Sequence, residues 1–280
     1  MALNSINTNA NALIALQNLN NTAAQLADTQ NRISTGHKVD SAKDNGATWA
    51  VAQNQRASIS SLDAVKESLQ RGQSTVDVAM TAGSQISDIL NQMKAKALTA
   101  ADTSTDASGR ASMNEDFKSL RDQIAKVVSG ADFNGVNMIK SGGQSIYALA
   151  NADGTNKVTV AAQDLSLGGG NLGVLTSTSS IGTQTLASSM LASLSGANGI
   201  IAKVNSAVAR LGTGSNSLAS QLSFVGKLQD TLTTGVSNLV DADVAKESAT
   251  LQALQTKQQL GVQALSIANS STGTLLSLFR

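Results

Sequence analysis

Three glycines form the motif of this chain that comes nearest to a cofactor site. Gly168, Gly170 and Gly173 match the G-x-G-x-x-G spacing that lets a backbone approach the pyrophosphate of a dinucleotide. Such a site also needs a helix directly after the glycines and an acidic residue about 20 positions further on. The sequence predicts neither of these. We therefore expect a flexible loop at this position and no bound cofactor.

Two groups of ionisable residues contain the residue types of metal or catalytic sites. His37 is the one histidine of the chain, and Asp40 and Asp44 follow it in a loop-like segment. One imidazole supports neither a Ser-His-Asp set nor an HExxH zinc site. We expect a solvated loop histidine, no metal and no enzymatic activity.

A second acidic group comprises Asp241, Asp243 and Glu247. It lacks the glycine and the ligand spacing of an EF-hand. The acidic residues precede a helical pattern, and a helix dipole favours negative charge at its N-terminus. We expect them to mark the start of a helix.

Composition excludes several further classes. The 280 residues include no Cys and no Pro, 2% aromatic and 14% charged residues, and the net charge is +1. The lack of cysteine removes disulfides and thiolate chemistry. The small net charge argues against nucleic-acid partners and a polybasic membrane anchor. An aliphatic composition without helix-breaking proline is typical of long, packed helices.

The first and last segments of the sequence are free of charge. Residues 1–27 and 258–279 contain no Asp, Glu, Lys or Arg, although both are amphipathic and rich in Asn, Gln, Ser and Thr. These polar groups make both segments unsuited to cross a membrane, and the start MALNSINTNA lacks the features of a secretory signal. We expect both segments to be buried against other copies of the chain in a polymer.

Apolar periodicity predicts most of the helices. The N-terminal segment has two apolar registers. The first runs through Leu3, Ile6, Ala10 and Leu13, and the second through Leu16, Leu19, Ala23, Leu26 and Ile33. Longer helical patterns run through residues 48–101, 112–128 and 183–240. A heptad seam follows at the C-terminal end: Leu251, Leu254, Gln258, Gly261, Leu265, Ala268, Thr272, Leu275 and Phe279.

The middle of the chain changes in character near Gly130. The strings SIYALA and KVTVAA flank Asp153-Gly154, which predicts a β-hairpin. Residues 165–180 are rich in Gly, Ser and Thr and predict loop or short strand. The fold class we expect is mainly α, a long antiparallel helical bundle or coiled coil with a small β-hairpin region at one tip.

The sequence resembles bacterial flagellin. The start MALNSINTNANALIALQNLN, the segment ISTGHKVDSAKDNGA and the final NLVDADVAKESATLQALQTKQQLGVQALSIANSSTGTLLSLFR are similar to the N-terminal, spoke and C-terminal motifs of that family. FNG at Phe133–Gly135 lies where flagellins enter their β region. The short middle implies a form without the variable outer domains.

The resemblance implies a structural filament subunit of the extracellular flagellum. It implies an inner domain of residues 1–44 and 241–280, and an outer domain of residues 45–240 with a β-rich segment at about 131–180. The implied partners are other copies of the chain, an export chaperone that binds Leu251–Phe279, and hook-associated and cap proteins. The resemblance also implies that the chain is exported unfolded through the flagellar type III apparatus. The Ser/Thr tract from Thr176 to Ser189 is either O-glycosylated, as in some flagellins, or plain solvated surface.

Fourteen apolar residues of the two ends are the expected subunit interface. They are Leu3, Ile6, Leu13, Leu16, Leu19, Leu26, Ile33, Leu251, Leu254, Leu260, Leu265, Ile267, Leu275 and Phe279.

A further segment resembles the flagellin motif that an animal Toll-like receptor recognises. The family motif LQRMRDLAVQAAN is LNQMKAKALTAAD here, so Gln92 stands for the key arginine, Lys96 for a leucine and Thr99 for a glutamine. A neutral amide lacks the donor fork of arginine. We expect weak or no recognition.

Two other functions fit parts of the pattern. A hook–filament junction protein would share the terminal motifs, and a membrane-active type III translocator would also be amphipathic. The short middle disfavours the first, and the polar content of both ends disfavours the second.

Overall fold

A computed structural model of the chain describes residues 9–277, with side chains described through residue 270. Helices make up 71% of the described residues. Its elements, in chain order, are α1 (Ala10–Thr35), α2 (Gly46–Ala101), α3 (Ala107–Gly130), β1 (Ile146–Leu149), β2 (Lys157–Val160), α4 (Gln184–Leu194), α5 (Ile200–Val240) and α6 (Val244–Ser277). The predicted class, long antiparallel helices with a small two-stranded sheet, is confirmed.

The helices are distributed over two compact units. The first unit comprises the chain up to Ala57 and from Thr231 onward, and the second comprises Ser58–Asp230. The first unit therefore contains α1 and α6, and the second contains α3, α4 and the hairpin.

In the first unit, α1 and α6 pack antiparallel. At one end the Asn9 side-chain amide donates to the carbonyl of Ala268 at 2.8 Å. Further along, a Cβ on Gly261 would lie 3.2 Å from Cδ1 of Leu19. Near the other end Arg32 and Glu247 form an ion pair at 3.5 Å. These contacts fix the register of the pair.

The seam of α6 lies where the sequence predicted it. Through Ala268 the heptad positions are the less exposed positions of this helix, and Leu254 is buried. In α1 the seam differs from both predicted registers, because Leu13, Leu16 and Ala23 are exposed. The observed α1 seam, with alternating steps of three and four, is Ala12, Ala15, Leu19, Thr22, Leu26, Thr29 and Ile33.

Two threonines occupy the most buried positions of α1. Thr22 is 4% exposed and Thr29 is 5% exposed. The Thr22 hydroxyl donates to the carbonyl of Asn18 at 2.8 Å, so its polar group is paired within the helix. Apolar periodicity could not find a seam whose central members are threonines.

In the second unit, α2 and α5 pack antiparallel around an aliphatic core. On α5, Val204, Leu211, Leu218 and Val225 recur at every seventh position, and all four are fully buried. Phe117 of α3 is the one aromatic residue among the largest fully buried side chains of the described part of the chain. The predicted aliphatic core is therefore confirmed.

Polar side chains connect α2 to α5 at intervals. Ser87 donates to Asn205 at 2.8 Å, Ser215 donates to Asp77 at 3.1 Å, and the Gln229 amide donates to Asp63 at 2.7 Å. Residues later in α2 bond to residues earlier in α5, as expected for antiparallel helices. These pairs hold the register of two long helices whose aliphatic surfaces repeat and would also fit in shifted positions.

The predicted hairpin is present, but its position differs from the expected tip. Strands β1 and β2 pair antiparallel, with Ile146 opposite Val160. The hairpin packs against the sides of both helices, since a Cβ on Gly72 of α2 would lie 3.1 Å from Ile146, and one on Gly214 of α5 would lie 2.5 Å from Val160. Glycines in the interior of both helices make room for the strands, and this close approach was not visible in the periodicity.

The helical pattern of residues 183–240 is interrupted. Helix α4 ends at Leu194 and α5 begins at Ile200. Between them Gly196 has a φ of +91°, a left-handed conformation that favours glycine. The apolar spacing continues from α4 into α5, so the sequence pattern did not predict the break between them.

Two glycines of α5 provide a matched test of the hairpin contact. Gly214→Ala should lower the free energy of unfolding by about 1–3 kcal/mol, because the added methyl group overlaps the stiff Val160 side chain. Gly226→Ala, where nothing lies within 4 Å of a new Cβ, should raise it by about 0.4–1 kcal/mol. Urea unfolding of both variants measures the difference. Stabilisation by both substitutions would show that the hairpin does not press on α5.

Candidate functional site

The site that the structure supports best is the exposed surface of the α1–α6 pair. Seven large apolar side chains of this pair are between 45% and 69% exposed. They are Leu13, Ile14 and Leu16 of α1, and Val244, Leu260, Val262 and Ile267 of α6. Each helix buries one stripe against the other and leaves further apolar side chains in solvent.

A groove follows one side of the helix pair. It has a volume of about 1020 Å³ and runs between α1 and α6. Here it is called the α1–α6 groove and is defined by Ile14, Asn18 and Asn21 of α1 and by Leu260, Ala264 and Ile267 of α6.

The α1–α6 groove combines apolar side chains with neutral hydrogen-bonding groups. Among the residues that line it, Lys257 alone is charged. Burying such a surface removes apolar area from water without desolvating a row of charges.

The predicted interface residues divide into three groups. Leu19, Leu26, Ile33, Leu251, Leu254 and Leu265 lie on the seam between α1 and α6 and are half-buried or buried within the molecule. Leu13, Leu16, Leu260 and Ile267 are exposed and available to a partner. Leu3, Ile6 and Phe279 lie outside the described residues, as does the side chain of Leu275.

Sequence reasoning missed two residues of this surface. Ile14 and Val262 are 57% and 54% exposed but belong to neither predicted seam. The signal was available, because each is a β-branched apolar residue off the seam and within an uncharged segment of its helix. An apolar side chain in such a position indicates a second neighbour.

The connection from α1 to α2 is tied to the joint between α5 and α6. The backbone N–H of Lys38 donates to the Val240 carbonyl at 2.7 Å, and that of Ala242 donates to the Gly36 carbonyl at 2.8 Å. Val39 and Val240 are buried at this crossing. The bonds fasten the two connections to each other inside the first unit.

His37 has a partner that the sequence did not indicate. Its Nδ1 lies 3.1 Å from Oδ1 of Asp241, whereas the sequence suggested a solvated histidine with Asp40 and Asp44 nearby. The partner is 204 residues away in sequence, and only the crossing of the two connections brings it close. The pair is a structural contact at the surface.

The other predicted acidic residues also have structural roles. Asp243 accepts the backbone N–H groups of Ala245 and Lys246, both at 3.1 Å, and so caps α6. The prediction that this cluster marks a helix start is confirmed. Asp44 accepts the backbone N–H and the hydroxyl of Ser41 and the N–H of Asp40; these bonds, the Ser41 backbone first, lower the pKa of the Asp44 carboxyl.

The segment that resembles the receptor motif lies near the end of α2. Gln92 and Thr99 are exposed, and the Thr99 hydroxyl donates to the Ala95 carbonyl at 3.1 Å. The Lys96 ammonium lies 2.7 Å from the Asp116 carboxylate of α3. This face therefore presents an amide, a paired cation and a hydroxyl.

The remaining chemical motifs do not form sites in the described part of the chain. After Gly173 the next helix does not begin until Gln184, so the glycine motif lacks the helix of a dinucleotide site. Between residues 9 and 277 no three His, Asp or Glu side chains are grouped as metal ligands. No helix in the same range is sufficiently long and apolar to span a membrane.

Comparison with known proteins gives the family. The model of the bacterial flagellin N-terminal helical region matches residues 6–145, and that of the C-terminal helical region matches residues 194–279. The chain belongs to the bacterial flagellin family. As a flagellin it is a structural protein of the extracellular flagellar filament and not an enzyme.

Individual flagellins match this chain from end to end. Flagellin FljM of Caulobacter vibrioides is 57% identical over 280 residues, which is 100% of both chains. Flagellin FljJ of the same organism is 41% identical over 283 residues, 100% of this chain and 99% of its own. A flagellin of Brucella melitensis is 37% identical over 290 residues, 99% of both chains.

The short form expected from the sequence therefore has relatives of nearly the same length. Membership of this family implies that the chain polymerises with other copies. It does not support the alternative hypotheses of a hook–filament junction protein or a type III translocator.

Proposed function

We propose that this flagellin assembles into its filament by burying the exposed apolar side chains of α1 and α6 against other copies. The observation that carries the proposal is the set of seven exposed large apolar side chains on a helix pair with long uncharged segments. A fully buried side chain of this size contributes about 1.5–3 kcal/mol relative to an exposed one. Repeated at every subunit, that contribution favours a long polymer.

The uncharged amides of the two helices fit the same role. Asn11, Asn18, Asn21 and Gln25 lie along the α1–α6 groove. Amide side chains can bond across a subunit contact and cost less to desolvate than carboxylates or ammonium groups. The apolar groups would supply the free energy of assembly, and the amides would fix how the copies align.

The division of labour between the two parts of the chain is part of the proposal. Residues 1–44 and 241–280 would form the inner domain that holds the filament together, and residues 45–240 would form the outer domain. The α1–α6 pair with its exposed apolar surface supports the inner assignment. The aliphatic core of α2 to α5 supports an outer part that is folded before assembly.

The export chaperone implied by the family would bind the same surface. An export chaperone would cover the C-terminal region from Leu251, where Leu260, Val262 and Ile267 are exposed. Covering these side chains would prevent polymerisation before the unfolded chain leaves through the flagellar type III apparatus. Hook-associated and cap proteins would contact the subunits at the two ends of the filament.

We also propose that animal Toll-like receptors recognise this flagellin weakly. An exposed Gln92 offers one amide where the family motif offers the fork of an arginine, and Lys96 is held by Asp116. Both changes remove contacts from one face of α2.

Two substitutions on α6 test the assembly proposal. The double variant Leu260→Asn/Ile267→Asn should raise the critical concentration for polymerisation by about 10²-fold or more, because two apolar side chains no longer enter the interface. Gln263→Asn is the control and should polymerise like the wild type. Turbidity and sedimentation of filaments give the critical concentration, and an unchanged value for the double variant would contradict the proposal.

A reporter-cell assay tests the receptor proposal. The wild-type flagellin should be at least about tenfold less potent than one with the full family motif, since a charge-assisted bond is missing. Gln92→Arg should increase potency, whereas Asn91→Arg, at the neighbouring exposed position, should not. Full activation by the wild type would show that the arginine is dispensable.

A further inference from the structure

The back of α1 carries a second uncharged stripe, distinct from the α1–α6 groove. This back stripe comprises Leu13, Leu16, Asn20 and Ala23, all of them exposed. A helix turns about 100° per residue, so these positions lie on roughly the opposite side of α1 from Ile14, Asn18 and Asn21. The helix pair therefore presents two different apolar faces.

The back stripe is short enough to lie along the α1–α6 groove. At about 1.5 Å per residue, the back stripe spans about 15 Å and the α1 wall of the groove, from Asn11 to Gln25, spans about 21 Å. The back stripe has steps of three and four residues, the spacing of helical side chains that insert between those of a neighbouring helix.

The chemistry of the two faces also matches. The back stripe is uncharged, and Lys257 alone is charged among the groove-lining residues. A partner with several charges would be desolvated in this groove with only Lys257 as a counter-charge, whereas the uncharged back stripe needs none. The occupant that fits is therefore a neutral amphipathic helix, and this chain carries one.

We propose that the back stripe of one copy docks into the α1–α6 groove of the next copy. The inference rests on the assembly function proposed above and adds which face meets which. Because donor and acceptor are different surfaces, the contact is heterologous, and each added copy presents a fresh unoccupied face. A self-complementary contact would instead close after two copies.

Reciprocal charge rescue tests this arrangement. Leu16→Lys should block the donor face, and Asp at Leu260, Ala264 or Ile267 should block the acceptor face. Each single variant of the full-length chain should elongate wild-type filament seeds at least about tenfold more slowly than the wild type, because an unpaired charge would be buried. Three acceptor positions are used so that at least one lies near the lysine in the docked register.

Mixing distinguishes this contact from a general loss of assembly. An equimolar mixture of Leu16→Lys with the matching Asp variant should elongate at low ionic strength, because the lysine of one copy enters the acidic groove of the other. Rescue should fade as salt screens the pair. Filament length by electron microscopy is the readout.

Control variants place the charges elsewhere on the same helices. Gln17→Lys lies about 100° from Leu16 around α1, and Gln259→Asp lies away from the groove side of α6. Each control should elongate better than the corresponding test variant, and mixing the two controls should produce no further gain.

The docking arrangement would be overturned if no acceptor position rescued Leu16→Lys, or if the control pair were rescued equally well. Both results would leave the assembly function intact. If the single variants elongated at the wild-type rate, the assembly function itself would fail.

Discussion

The structure depends on a limit of helix pairing, because two packed helices bury only one stripe of each. Both α1 and α6 use their stripe on each other, and seven large apolar side chains stay in solvent on the outside of the pair. An exposed apolar surface of this kind is a binding surface in a soluble protein. In a flagellin filament the neighbour of each subunit is another copy. The apolar side chains that α1 and α6 cannot bury against each other would therefore favour polymerisation.

The second unit has a buried core of its own. Its core contains α2 and α5 side chains that are fully buried, together with Phe117 of α3, and polar pairs such as Asp77–Ser215 hold the long helices in register. In the proposed filament, this core would keep the second unit folded while α1 and α6 contribute contacts between copies. The interior glycines Gly72 and Gly214 let the hairpin brace the two helices from the side.

Much of this architecture follows from the sequence, because long helices repeat their apolar spacing many times. The α6 seam, the helix over residues 48–101 and the hairpin at Asp153-Gly154 were predictable from local patterns. The α1 seam was not, because its most buried members are Thr22 and Thr29, whose polarity hides their position. The His37–Asp241 pair and the hairpin's place beside Gly72 depend on contacts between distant segments, which periodicity does not encode.

A helical reconstruction of the assembled filament by electron cryomicroscopy tests the central claim most directly. Our account predicts that Leu13, Leu16, Leu260 and Ile267, exposed in the single subunit, are buried against neighbouring copies in the filament. The polymer would then be held by the surface that the helix pair cannot cover itself. A filament in which these side chains still face water, with the subunits joined through the second unit alone, would contradict the account.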